Sequence, residues 1–127
     1  MCIDYRALNK ITIKDRYPIP SMRDLYHKLR GNKIFSSFDL RSGYYHIPIK
    51  EEDQEKTAFI TDSGTYVWQR MSFGLANAPS TFQRAMDKMF EDLDYVVIYI
   101  DDIIVCSETE EQHLERLKEI FRRLNQY

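Results

Sequence analysis

The hydrophobic period of the chain changes several times, and each change marks an element. Pro18 and Pro20 in RYPIPS make an extended connector. Ser21 then fits an N-cap with Asp24 three residues on, and Met22, Leu25 and Leu29 share one helical face until Gly31, which predicts a short helix over roughly 21–30. KIFSSFDL alternates as a strand and ends at Arg41-Ser42-Gly43, and TAFIT and TYVWQRM flank Asp62-Ser63-Gly64 as a hairpin. Pro79 suits a first helical turn, and Phe82, Met86, Met89, Phe90 and Leu93 recur at helical spacing, so a second helix is predicted over about 79–93. Val96-Val97-Ile98-Tyr99-Ile100 and Ile103-Ile104-Val105-Cys106 read as two buried strands of one hairpin. A last helix, over about 108–125, is predicted to start at Ser107 with Glu110 in capping-box spacing and to bury Leu114, Leu117, Ile120, Phe121 and Leu124. Acids at its start and Arg122-Arg123 near its end complement its dipole. Strands and helices interleave, which predicts an α+β fold around an antiparallel or mixed sheet.

The tip of the second hairpin is unusual. It carries Asp101-Asp102 and no glycine, although two-residue turns favour glycine at positive φ and adjacent carboxylates repel one another. Composition narrows the reading. The 127 residues are 43% hydrophobic, enough for one domain with a core. A formal net charge of −2 supplies no global basic field, so a polyanion has to be held locally. Cys2 and Cys106 show no CxxC spacing or disulfide framework, and His27, His46 and His113 lack zinc-ligand spacing. A reducing intracellular setting follows as the simpler expectation, with no membrane span and no signal-peptide pattern.

Asp39 ends one strand pattern and Asp101-Asp102 sit at a hairpin tip. If the strands are neighbours, three carboxylates converge at one edge of a sheet. Such a cluster costs free energy unless a cation offsets it, and hard oxygen ligands select Mg²⁺ or Mn²⁺. A single Asp in such a place also reads as an ordinary turn residue.

FSSFDLRSGYYHI, MSFGLANAPSTFQ and YIDD resemble, in order and spacing, the three central palm motifs of reverse transcriptases. DYRALNKITIKDRYPIP, KTAFIT and SETEEQHLERL narrow the resemblance to gypsy-type long-terminal-repeat retrotransposons. It covers essentially the whole chain. It implies a polymerase palm-like antiparallel sheet packed on helices with a partial fingers segment, fingers about 1–33 and 50–75 and palm for the rest. It also implies RNA-directed DNA polymerase activity in which Asp39, Asp101 and Asp102 hold two magnesium ions, with Asp101 the stronger ligand and Asp102 an electrostatic partner. By the same resemblance Leu40, Tyr44, Phe73 and Gly74 face the incoming deoxynucleotide. Tyr44 lies beneath the sugar, where its bulk excludes a 2′-hydroxyl. Asp4, Arg6, Asn9 and Lys10 lie near the template. Taken alone, Tyr44 also reads as a packing aromatic, Gly74 as a turn residue and Arg6 as a plain surface arginine.

The chain departs from the pattern at Ser72, where proline is common, and at Tyr45-His46, where His-Gln is usual. The family's upstream triphosphate clamp, primer grip, thumb and RNase H domain have no counterpart in these residues, so the reading is a fragment of a Pol polyprotein. Its implied partners are an RNA or DNA template-primer, deoxynucleoside triphosphates and the rest of that polyprotein. Its implied location is intracellular, in a cytoplasmic particle or the nucleus. Two other classes remain at this stage. One is a non-catalytic palm remnant that binds RNA or a protein. The other is a metal-dependent nuclease or nucleotide cyclase, which does not account for Tyr44 and FGLANAP in this order.

Overall fold

A computed structural model describes residues 2–18, 20–99 and 101–126. In it the chain divides into two compact units rather than the single one expected from composition. Each unit is built from two separate stretches, because strand and side-chain pairing join segments far apart in sequence. Residues 1–16 and 42–82 form one unit, and residues 17–41 and 83–127 the other.

The second unit carries the sheet. β1 (Ile34–Asp39), β4 (Val96–Tyr99) and β5 (Asp102–Ser107) pair antiparallel in the order β1-β5-β4, so β5 is central. Val96, Val97, Ile98, Ile103, Val105 and Cys106 are buried in β4 and β5, as their apolar runs predict. The edge strand β1 alternates half-buried and exposed positions, matching its period-two pattern. Ile100, expected at the end of this strand, lies outside the described residues.

Helix α2 (Met22–Leu29) forms as predicted, with a reciprocal capping box between Ser21 and Asp24. Leu25 is buried, whereas Met22 is 72% exposed, so the apolar face is narrower than expected. Helix α4 (Ala78–Phe90) buries Phe82, Met86, Met89 and Phe90, and Leu93 falls in the turn beyond it. Helix α5 (Glu110–Leu124) departs furthest from its prediction. β5 continues through Ser107, so the cap moves to Thr109, whose side chain accepts from Gln112 N. Ser107 Oγ instead lies 3.0 Å from His113 Nδ1, and Ser36 Oγ in β1 lies 2.8 Å from His113 Nε2. The buried face of α5 is centred on His113 and Ile120. Leu114 and Phe121 are 60% and 47% exposed, because each follows His113 or Ile120 by one residue and so lies about 100° round the helix, on the flank of the buried face.

The first unit contains α1 (Arg6–Ile11), α3 (Glu51–Gln54) and the hairpin of β2 (Phe59–Thr61) and β3 (Gly64–Tyr66). The hairpin register is Phe59↔Tyr66, Ile60↔Thr65 and Thr61↔Gly64. The strand in TYVWQRM stops at Tyr66, and further on only a bridge between Arg70 and Pro48 continues pairing. An aromatic group of Tyr44, Tyr45, Trp68, Phe73 and Phe82 fills much of this unit, with ring centroids 5.0–5.5 Å apart. The first turn of α4 belongs here and the remainder to the second unit.

Candidate active site

Strand register brings two of the three predicted acids together. Asp39 is the last residue of β1 and Asp102 the first of β5, and they are direct partners in the antiparallel pairing. Opposite residues in such a pair point to the same face of the sheet, so the two carboxylates share one face at its end. Tyr99 of β4 is the partner of Asp102 on the other side. Asp101 precedes β5 in the turn and has no partner in the register. All three acids are exposed. Outside the strand pairing, no side-chain hydrogen bond or ion pair engages their carboxylates among the described residues.

The backbone answers one expectation differently. Ser42, at φ 56, is the one non-glycine residue with positive φ among the described residues, so Asp101 carries no left-handed strain. Among the described residues no group of three or more His, Cys, Asp or Glu side chains is gathered so as to hold a metal ion. A close pair of carboxylates is nonetheless a donor set suited to Mg²⁺. That ion keeps several waters and commonly takes one or two carboxylates together with substrate phosphates, rather than a closed protein cage.

The predicted nucleotide-facing residues fall in both units. Leu40 follows β1 directly and is half-buried. Tyr44 stands in a 3-10 turn, Gly43–His46, entered through the left-handed Ser42. Its ring is 5.0 Å from that of Phe73 and 5.4 Å from that of Phe82. It therefore packs like a core aromatic while remaining half-buried. Phe73 is 50% exposed. Gly74 has φ 91, a conformation that favours glycine whatever space surrounds it.

The predicted template residues divide. Arg6 turns back on Asp4, with Nε 2.9 Å from Oδ1 and Nη2 2.6 Å from Oδ2, and both side chains are largely exposed. The guanidinium lowers the Asp4 carboxyl from its usual range, and the carboxylate raises Arg6 in turn. Lys10 is exposed. Asn9 is committed within the protein, donating to Gly74 O and accepting from Ala76 N. Sequence reasoning missed the role of Asn77, which bonds Ile13 and Asp15, and that of Ser72, whose Oγ donates to the buried Tyr5 hydroxyl at 3.2 Å. MSFGLANAPSTFQ contains both side chains, but nothing in its spacing names their partners.

Comparison with known proteins identifies the family. Residues 1–127 match the family described as reverse transcriptase (RNA-dependent DNA polymerase). A retrovirus-related Pol polyprotein from transposon 297 of Drosophila melanogaster is 46% identical over 124 residues, which is 96% of this chain and 12% of that protein. An enzymatic polyprotein of cauliflower mosaic virus is 42% identical over 128 residues, all of this chain and 19% of that one. The chain thus spans less than a fifth of the length of either relative. Among solved structures, the foamy viral protease-reverse transcriptase in complex with RNA/DNA hybrid superposes with a TM-score of 0.79 at 28% identity. That match covers 95% of this chain and 16% of the other. The foamy viral protease-reverse transcriptase dRH in complex with double-stranded DNA gives 0.77 at 28% identity over 97% of this chain and 21% of that one. The ordered sequence blocks, the paired aspartates at the sheet end and these likenesses converge: the chain belongs to the reverse transcriptase family of nucleotidyltransferases.

Proposed function

We propose that this chain is the palm and part of the fingers of a gypsy-type retrotransposon reverse transcriptase, a piece of a larger Pol polyprotein. The fingers segments are about 1–33 and 50–75. It extends a primer 3′-hydroxyl with deoxynucleotides on an RNA template, inside the cell. The observation that supports this most is the register pairing of Asp39 with Asp102, with Asp101 next in the chain. Asp39, Asp101 and Asp102 would hold two Mg²⁺ or Mn²⁺ ions. When bound, the metals supply charge stabilisation to the in-line displacement at the nucleotide α-phosphate.

The protein's own part is to position and to select. Three acids without cationic partners among the described residues leave their charge available to an incoming metal-nucleotide complex. Leu40, Phe73 and Gly74 face the nucleotide, and Gly74 lets backbone come close because it has no Cβ. Tyr44 supplies the bulk that rejects a 2′-hydroxyl, and its ring contacts with Phe73 and Phe82 keep that bulk in place. Asp4, Arg6 and Lys10 lie toward the template.

The test grafts this chain as the palm of a complete polymerase of the same type and supplies a primed RNA, Mg²⁺ and deoxynucleotides. Templated extension is the expected result. A folded graft that binds the primed RNA and adds no nucleotide overturns the proposal. Tyr44→Ala in an active graft should admit ribonucleotides more readily, and unchanged sugar discrimination would assign the ring to packing alone.

A further inference from the structure

Two asparagines of the first unit each use both ends of the side-chain amide on the other's segment. Asn9, in α1, donates from Nδ2 to Gly74 O at 2.7 Å and accepts from Ala76 N at Oδ1 at 2.9 Å. Asn77, just before α4, donates from Nδ2 to Ile13 O at 2.8 Å and accepts from Asp15 N at Oδ1 at 3.0 Å. The partners fix both amide orientations, since exchanging O and N would set donor against donor and acceptor against acceptor. Each amide thus satisfies one backbone donor and one acceptor that no strand pairing serves, acting as a one-residue substitute for a β-bridge. Aspartate would lose the donor, and serine is too short to span the two groups. Ser80 Oγ reinforces the clasp by donating to Asp15 O at 3.2 Å.

The segment held this way contains the left-handed turn at Gly74, φ 91. Two side-chain hydrogen bonds from Asn9 reach the backbone of this loop, whose own regular structure begins only at Ala78, and two more run from its Asn77 to the backbone of Ile13 and Asp15. We infer that this reciprocal Asn9–Asn77 clasp sets the path of the Phe73–Ala78 loop, and that Asn9 is a positioning residue for the nucleotide-facing Phe73-Gly74 rather than a contact to the template. The inference rests on the proposed function in assigning the nucleotide to that loop.

The clasp supplies its own reporters, because the amide protons of Ala76 and Asp15 are bonded to the two asparagines. Hydrogen exchange is measured by NMR on the whole chain and on its Asn9→Ala, Asn9→Asp and Asn77→Ala variants, with the Gly74 amide followed during titration with magnesium dTTP. Asn9→Ala should speed exchange at Ala76 about tenfold, the scale of one hydrogen bond, and Asp15 should follow because the two halves are coupled. Asn77→Ala should speed both in the same way. Amides in β1 and β5 should not change, which separates the clasp from general destabilisation. Asn9→Asp keeps the acceptor and should preserve Ala76 protection while altering the Gly74 resonance. The apparent dTTP affinity of Asn9→Ala should fall about tenfold.

Unchanged exchange at Ala76 in Asn9→Ala overturns the clasp. Faster exchange with unchanged dTTP affinity overturns the positioning role. Loss of affinity for a primed RNA with unchanged Ala76 exchange returns Asn9 to the template. If dTTP leaves Gly74 unmoved in the native chain, the nucleotide assignment fails and the positioning role with it, while Ala76 exchange still decides the clasp.

Discussion

Acidic side chains are treated in opposite ways at two places in the sheet-bearing unit. Next to the C-terminal half of α5, Asp92 and Glu119 are fully engaged. Arg123 holds Asp92 through Nη1 at 2.5 Å and Nη2 at 2.6 Å, and holds Glu119 through Nε at 2.7 Å. Arg122 adds a second guanidinium on Glu119. These hydrogen bonds pull Asp92 from 3.8 to about 2 and Glu119 from 4.5 to about 2. At the sheet end, Asp39, Asp101 and Asp102 stand exposed with no such partner among the described residues. The contrast teaches that placement alone does not define an acid's use. Acids that tie helices together are neutralised within the chain, and acids left unneutralised on a register-fixed pair are available to something from outside.

The largest effect expected from this contrast is on catalysis. In a complete polymerase carrying this palm, Asp39→Asn or Asp101→Asn should lower primer extension by about 10³-fold or more, since metal charge stabilisation is worth several kcal/mol of barrier. Arg123→Ala in the same graft should leave extension near its parent value once folding is matched. A comparable loss from both would erase the distinction. The isolated chain should not sustain extension at all, because alignment of reactants is worth about 7–11 kcal/mol and much of it depends on elements outside these residues.

The next effect concerns metal and stability. Mn²⁺ at about 100 times its dissociation constant should stabilise the native chain by about 2.7 kcal/mol, read as a rise in melting temperature of several degrees. The Asp39→Asn, Asp102→Asn double variant should show none of that rise. An equal rise in both would mean that the ion binds elsewhere.

A smaller effect follows from pH. Because the folded values of Asp92 and Glu119 lie below their unfolded ones, the stability they confer is complete above about pH 4.5 and is lost as pH falls toward about 2. Melting temperature should therefore decline through that window in the native chain. Arg123→Ala should flatten the decline, and an unaltered acid limb would show that the ion pairs do not carry it. The smallest effect belongs to Asp4 and Arg6, an exposed pair on the surface of the other unit. Arg6→Ala should leave the melting temperature within experimental error, as exposed ion pairs generally do.

Much of this architecture was legible in the residues because burial and period agree there. β1 follows its alternation, α4 buries four of the five residues its spacing selects, and the capping box at Ser21 is local chemistry that tertiary context does not disturb. α5 was displaced because Ser107 can serve as a cap or as a strand end, and pairing with Ile34 in β1 decided for the strand. His113 then took the buried position that an apolar count had given to Leu114. α1 left no signal of this kind, since its six residues bury none of their side chains. The identity of the acids was readable from motif order, whereas the fact that Asp102 rather than Asp101 faces Asp39 depends on a register that spacing along the chain does not encode.

The antiparallel register between β1 and β5 has a consequence for how this site can change through descent. A face of a strand is a parity, not a distance: adding or deleting one residue between Ile34 and Asp39 would move Asp39 to the opposite side of the sheet, leaving no intermediate position. The loops between the motifs carry no such constraint. Lineages of this domain should therefore accumulate length changes in the connections and almost none inside these two strands, so that insertions arrive in the coding sequence as tolerated or fatal according to which side of a strand boundary they strike.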